Sequence, residues 1–401
     1  GGAEPGGAGG TGEAGAARAG SGGGGEGGGG AACGDGKCDG GESCSSCAQD
    51  CGACPSLPPI EAFFCVPGQD DLALENKVIS LIDQASPGSM IRLSIYEFTR
   101  NSVAKSLVAA QARGVDVRVV LDGGVSSSLI VMATLNAGLG ADRITLCQSG
   151  AGTSCIGTGI DHNKFIIFSA LDDGSKNVVV QSSANWTNPQ THQHNNLVIV
   201  RDDAAFFAGY LAYWGDLKAQ KKDPNYYKTL DGDRPVRAYF FPRNDGDTVL
   251  SILDNVVCKP GESQIRVAMA FFSNARIEIA KRLVQRKKEG CDVKVVLRDE
   301  PALGFAPGDQ VVPILKAGGV GYKLYPKTGP DNVTIHSKYL IISSPYQGTG
   351  GVSPRKLVWT GSHNWTGGAL NDNDETLLRV DDGGVYDAFF QNWGVINSSA
   401  P

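Results

Sequence analysis

The 401-residue sequence predicts an α/β protein built from two similar halves paired about a pseudo-twofold, and two observations carry that prediction. Residues 91–122, "IRLSIYEFTRNSVAKSLVAAQARGVDVRVVLD", recur as "IRVAMAFFSNARIEIAKRLVQRKKEGCDVKVVLR" at 265–298. Further along, a His-x-Lys pair followed by Ser-x-Asn-Trp-Thr also occurs twice. A domain-sized repeat of this kind describes duplicated α/β units rather than a solenoid.

Taken in order, residues 1–32 come first. Seventeen of the first thirty residues are glycine, with no apolar periodicity, so this stretch is expected to be a disordered linker. The chain opens on Gly1 rather than Met, which reads as a processed or trimmed product whose true N-terminus, an export signal being one candidate, is missing. Residues 33–54 hold Cys33, Cys38, Cys44, Cys47, Cys51 and Cys54, a density expected of three disulfides in an exported protein. The C-x2-C pairs Cys44/Cys47 and Cys51/Cys54 offer zinc as a competitor, but no His is near and six cysteines overfill one tetrahedral site. Asp35, Asp39, Glu42 and Asp50 lie among these cysteines. In the body, Cys147 and Cys155 could close a short loop and Cys258 could pair with Cys291, leaving Cys65 odd.

Residues 1–54 carry two basic and seven acidic side chains, so the remainder holds 34 basic against 35 acidic. A nearly neutral body neither demands nor excludes a polyanionic substrate. No run of about 18 apolar residues is present, so no spanning helix is expected.

The first half is assigned to 60–220 and the second to 235–396, with a polar, turn-rich boundary at 217–237. Each opens with a strand-like alternation, Ile91-Leu93-Ile95 or Ile265-Val267-Met269. A helix follows, with Val103, Leu107, Val108 and Ala110 or Ile279, Leu283 and Val284 at helical spacing, ending at Gly114 or Gly290. The β-branched runs "VDVRVVLD" and "CDVKVVLR" read as buried parallel strands, so each half starts βαβ. Ala137-Gly138 and Ala317-Gly318 are expected to close a second helix in each half.

Each half then runs into a strand bearing His-x-Lys: His162 and Lys164, then His336 and Lys338. Period-two geometry puts each pair on one face. Ser183 and Asn185 follow in "SSANWT", Ser362 and Asn364 in "GSHNWT". Only five histidines occur in the chain, and packing needs alone do not repeat such a set. Two facing histidines can split a phosphodiester displacement, one as nucleophile and one as acid and then base. The lysines, asparagines and serines would stabilise the phosphoryl oxygens, with no metal or other cofactor required.

These residues resemble the phospholipase D superfamily, whose signature is a doubled His-x-Lys-x4-Asp with downstream Ser and Asn; the resemblance covers most of residues 60–395. It implies α/β/α halves meeting at one shared site, a covalent phosphohistidine, and hydrolysis or transphosphatidylation of phosphodiesters. Carried over, His162 is the nucleophile and His336 the acid and base, a pair of roles that could be exchanged. Lys164, Lys338, Asn185 and Asn364 hold phosphate, supported by Ser183 and Ser362. The signature Asp is replaced by Ser169 and Ser343, and the Gly before the motif serine, kept as Gly361, by Ser182. The histidine-orienting acidic residue 13 positions after the motif serine is Glu375 in the second half and Asn196 in the first. A carboxylate on a ring N–H raises imidazole basicity and an amide does not, so His336, paired with Glu375, is expected to be the more basic. The cysteine-rich stretch resembles Notch-repeat-like modules, some of which hold calcium with such carboxylates.

His192 and His194 are expected either in a loop at the pocket mouth or in contact with substrate, and Trp186 and Trp365 in the core rather than stacked on substrate. Asn185 and Asn364 begin glycosylation sequons whose occupation would obstruct the site. Three functions compete: a monomeric, secreted or cell-surface phospholipase D acting on phospholipid at a membrane surface, with the glycine-rich lead as a candidate tether; an endonuclease; and a binding protein with a dead site. The nuclease would want a basic groove, for which Lys281–Lys288 is the one candidate and reads as a solvated helix face. Two fused copies favour lipid.

Overall fold

In the computed structural model, residues 33–401 are described apart from 39–41, 45–46, 55, 70, 125–128 and 149–151; the expected linker at 1–32 and Asp39 lie outside the described residues. After a short helix α1 (Ala48–Cys51), the first half runs β1 (Ile60–Cys65), α2 (Ala73–Asp83), β2 (Met90–Ile95), α3 (Asn101–Ala112), β3 (Asp116–Leu121), α4 (Leu129–Leu139), β4 (Ile144–Leu146), β5 (Lys164–Ala170), β6 (Lys176–Ser182), α5 (Asn188–Thr191), β7 (Asn195–Val200) and α6 (Ala204–Lys218). The second adds an edge strand β8 (Lys228–Asp231) and then repeats the series: β9 (Val236–Phe241), α7 (Thr248–Asp254), β10 (Gln264–Met269), α8 (Ile277–Lys288), β11 (Asp292–Asp299), α9 (Val311–Ala317), β12 (Gly321–Pro326), β13 (Lys338–Gly348), β14 (Gly351–Gly361), α10 (Gly367–Asn371), β15 (Glu375–Val380) and α11 (Gly383–Ser399). β8 falls inside the segment read as a boundary, because a short, charged edge strand carries the composition of a turn.

The sheets follow one plan, β1-β7-β6-β5-β2-β3-β4 and β12-β11-β10-β13-β14-β15-β9-β8. β2 pairs with β3, and β10 with β11, in parallel as the βαβ reading requires. The His-x-Lys strands β5 and β13 lie antiparallel beside β2 and β10, at the centre of each sheet. α6 and α11 join residues of both sheets in one apolar cluster between the halves, where Tyr213 stacks on Phe240 at 4.3 Å and Phe64 meets Phe389 edge-on at 4.9 Å. The outer faces are separate cores covered by α2 to α4 and α7 to α9.

Each half buries one strand arginine in the same way. Arg92 pairs with Asp116 and Arg266 with Asp292, both at 2.5 Å, while the guanidinium lies 5.3 Å from the ring of Trp214 or Trp393. Those indoles donate to the carbonyls of Leu93 and Val267 at 2.8 and 2.9 Å, fixing α6 and α11 to β2 and β10.

The cysteines pair as Cys33–Cys47, Cys38–Cys51, Cys44–Cys54, Cys147–Cys155 and Cys258–Cys291, while Cys65 is buried outside any disulfide with its Sγ 3.1 Å from the Thr191 carbonyl. The zinc alternative falls, since all six cysteines of 33–54 are consumed. Asp50 accepts the backbone N–H groups of Gly34, Asp35 and Gly36, so its carboxylate braces the knob. Cys44 Sγ lies 3.3 Å from the Asp172 carbonyl, placing the knob against the β5–β6 turn.

Ala317-Gly318 closes α9 as expected, with Gly318 at its C-terminal cap, and α4 ends one residue beyond Gly138; both glycines also serve a helix contact. Gly138 lies within α4 and Gly318 follows α9, and a Cβ at either would sit 2.2 to 2.3 Å from Val108 or Val284. They are close-approach points between α3 and α4 and between α8 and α9. Gly318→Ala should therefore destabilise the fold by about 1–3 kcal/mol in chemical denaturation. Adding Val284→Ala, which clears the clash, should show favourable coupling in a double-mutant cycle.

Candidate active site

The two His-x-Lys motifs converge because each half's motif strand is hydrogen-bonded to the other half. The His162 N–H donates to the Asp374 carbonyl at 3.0 Å, and the His336 N–H to the His194 carbonyl at 2.9 Å. Asp374 and His194 precede β15 and β7, so each crossing delivers the first residue of one half's strand to the other half's histidine. Asp374 strengthens its side by accepting the N–H groups of Cys155, Ile156 and Gly157 at 2.6 to 3.2 Å.

The crossing corrects the expected pairing. Glu375 bonds His162 Nδ1 at 2.9 Å, not His336, because the orienting residue reaches across the pseudo-twofold. The partner of His336 is Asn195, whose Oδ1 lies 3.1 Å from His336 Nδ1. Asn196 is turned away, its Oδ1 accepting the Thr360 hydroxyl at 2.7 Å. Counting 13 from Ser183 overshoots by one, since the segment between motif serine and strand is one residue shorter in the first half. Register shows the same: Ser183 N bonds the Asn196 carbonyl where Ser362 N bonds that of Thr376.

Both lysines fold back on their own motif. Lys164 Nζ donates to the His162 carbonyl at 2.7 Å and Lys338 Nζ to the His336 carbonyl at 2.6 Å, with His336 Nδ1 a further 3.1 Å away. Asn185 Nδ2 donates to Glu97 at 2.9 Å, and the Asn364 Oδ1 is buried without a partner. The serine hydroxyls serve the scaffold. That of Ser183 accepts the Asn196 N–H and donates to Asn195 Oδ1, and that of Ser362 accepts the Thr376 N–H. The Ser183 hydroxyl thus reaches His336 through Asn195, and the Ser183 carbonyl lies 3.4 Å from Lys338 Nζ.

Burial sets the electrostatics. It holds His162 well below the ordinary imidazole range, assisted by Lys164 and Lys338; His336 falls likewise, through burial, Lys338, Arg298, Lys164 and His162. Charges on both motifs therefore act on both histidines, which marks one site. Burial lowers Lys164 to about 8 against the pull of Glu375 and Glu97, and lowers Lys338 further, with Lys164 adding to the effect. Burial raises Glu375 to about 8 in spite of Lys164.

Several neighbours were not singled out by sequence. Gln190 Nε2 lies 3.4 Å from His336 Nε2 while its Oε1 accepts the Asn185 N–H at 2.6 Å. Tyr96 meets the His162 ring edge-on at 5.1 Å, and Phe271 meets that of His336 at 6.3 Å. Aligning the two halves strand by strand would have found Asn195; Gln190 carries no signal beyond its place after the motif. His194 is a buried bridging residue rather than part of the pocket mouth, and His192 pairs with Asp71 at 2.9 Å. Trp186 and Trp365 pack against Phe98 and Phe272 in the core. Asn185 and Asn364 are 5% exposed, which closes both sequons to glycosylation.

A family model described as "Cardiolipin synthase, PLD-like domain" matches residues 78–214 and 259–393. None of the curated proteins matches the sequence. Among solved structures, the phosphatidylserine synthase of Haemophilus influenzae has a TM-score of 0.58 at 12% identity, over 86% of this chain and 88% of that one. Polyphosphate kinase of Porphyromonas gingivalis has a TM-score of 0.52 at 13% identity, over 84% and 50%. Nuc of Salmonella typhimurium, a phospholipase D family member, is 26% identical over 41% of this chain and 96% of its own, with a TM-score of 0.32. The first two likenesses show the fold.

The crossed pairing is open to a direct check. In Glu375→Gln the 15N signals of His162 should shift and those of His336 stay in place, with a loss in kcat/KM of roughly 10- to 100-fold. Movement of His336 alone would restore the same-half pairing.

Proposed function

The chain belongs to the family described as "Cardiolipin synthase, PLD-like domain", and on that premise we propose that it hydrolyses the headgroup phosphodiester of phospholipids through a phosphohistidine. The observation that carries this reading is the Glu375 contact with His162 Nδ1, which leaves Nε2 of that histidine as the free nucleophile. Nε2 attacks phosphorus, the bond from phosphorus to the headgroup oxygen breaks, and His336 gives that oxygen its proton. A water then attacks phosphorus, passing its proton back to His336, and the His162–phosphorus bond breaks. Lys164, Lys338, Asn185 and Asn364 hold the phosphoryl oxygens throughout. The substrate's negative charge offsets the two lysines, which favours the protonated His336 that the first step needs.

An apolar lip beside His336 supports a lipid substrate. Leu303 and Phe305 are 38% and 39% exposed, and Phe305 packs edge-on against Phe271 at 5.2 Å. Three of the five basic residues of α8 are occupied elsewhere: Lys281 pairs with Glu278, Arg282 with Asp254, and Arg286 donates to the Val256 carbonyl. One chain supplies both halves of the site, in keeping with a monomer. The five disulfides support an extracytoplasmic location.

The test is release of headgroup from phosphatidylcholine vesicles beside cleavage of single-stranded DNA, both in EDTA. Headgroup release should persist in EDTA and fall by roughly three orders of magnitude or more in His162→Ala. DNA cleavage with the same dependence would make the chain a nuclease, and no turnover of either would make it a binding protein. As pH rises through about 8 Lys164 loses its charge while Glu375 gains one; loss of the cation that holds the phosphoryl oxygens outweighs the gain at His162, so kcat/KM should fall above that pH. Lys164→Arg, which keeps its charge, should flatten that fall.

A further inference from the structure

A cleft of about 560 Å³ opens on the second half, walled by β9, β15, α7 and the extended ends of β13 and β14. Arg379 stands on the same face of β15 as Glu375 but four residues further along, roughly 13 Å away, so the cleft is distinct from the histidine site. Four arginines line it, Arg237, Arg243, Arg355 and Arg379, together with Tyr239 and Tyr346, against the single carboxylate of Asp381. Three of the arginines have acidic partners: Asp231 at 2.6 Å for Arg237, Asp245 at 3.0 Å for Arg243, and Asp381 for Arg355. The buried Nε of Arg379 has no hydrogen-bond partner, and among the described residues Arg379 makes no ion pair.

The first half shows that the fold does not require this cluster. The register of β1 on β7 and of β9 on β15 matches Arg237 to Glu61, Tyr239 to Phe63 and Arg379 to Ile199. Tyr346 and Arg355 ride on strands of 11 residues where β5 and β6 have 7. Three carboxylates against four guanidinium groups leave a positive charge in excess, centred on Arg379, that an anionic ligand would meet. Their planar forks match phosphate oxygens, tyrosine hydroxyls add donors, and the volume is that of a small-molecule site.

We propose that this cleft binds a phosphate-bearing anion of two or more negative charges, free in solution or displayed as a lipid headgroup. The experiment is calorimetric titration of the full chain with inorganic pyrophosphate and, separately, with monomeric dioctanoyl phosphatidic acid. Binding of either probe should survive Lys164→Met, which disables the histidine site, and weaken roughly tenfold in Arg379→Gln. Arg379→Lys should recover part of that loss, and phosphodiester hydrolysis should be unchanged in Arg379→Gln. Arg355→Gln, on the more exposed arm, should weaken binding in the same way and serves if Arg379→Gln does not fold. Pyrophosphate binding alone assigns a soluble ligand, and phosphatidic acid binding assigns a headgroup. Binding that vanishes in Lys164→Met, binding that is unchanged in both arginine variants, or no binding of either probe overturns the proposal.

Discussion

The reciprocal crossing of backbone hydrogen bonds, His162 to Asp374 and His336 to His194, is the constraint on which the rest depends. It makes two half-sites into one. It also commits the fold to burying two histidines, two lysines and a glutamate side by side, an arrangement whose desolvation is unfavourable in isolation. The paired halves sustain it through the apolar layer formed by α6 and α11 between the sheets. The Cys147–Cys155 bridge and the Asp374 carboxylate hold the loop leading to His162 from opposite sides. Function and stability thus compete at the interface where the burial is greatest.

Duplication supplied the geometry, and divergence separated the roles. At equivalent positions one histidine meets a titratable carboxyl group and the other an amide, so the two imidazoles differ in the group that orients Nδ1. The flanking walls diverge too, with Tyr96 beside His162 and Phe271 beside His336. Asn185 is held by Glu97, whereas Asn364 keeps an unpartnered oxygen. A phosphodiester has two unlike ends, and a site built from like halves must break its symmetry to tell them apart.

Much of this was legible in the sequence because repetition makes local signals reinforce one another. The paired βαβ segments, the two His-x-Lys strands and the density of cysteines at 33–54 each follow from spacing alone. What spacing does not encode is which half a side chain serves. Glu375 lies close in sequence to Asn364, and nothing local says that it crosses to His162. Asn195 was missed because a fixed count ignores a one-residue difference in loop length. Ala-Gly reads as a helix stop, which Gly318 is, but the helix contact it also makes is seen only from the facing Val108 and Val284. The short strand β8 is hidden by its charges, and the arginine cleft is assembled from strands far apart in the chain.

The central claim is that the carboxylate-paired histidine takes the phosphoryl group. Rapid quench into cold, mildly alkaline denaturant during turnover, which preserves an acid-labile N–P bond, followed by peptide mass spectrometry, would locate any covalent adduct. The account predicts a phosphoryl-linked adduct on the peptide containing His162, accumulating when His336 is replaced by Ala in the presence of a substrate with a good leaving group. An adduct on the His336 peptide, or turnover with no adduct on either, would contradict it.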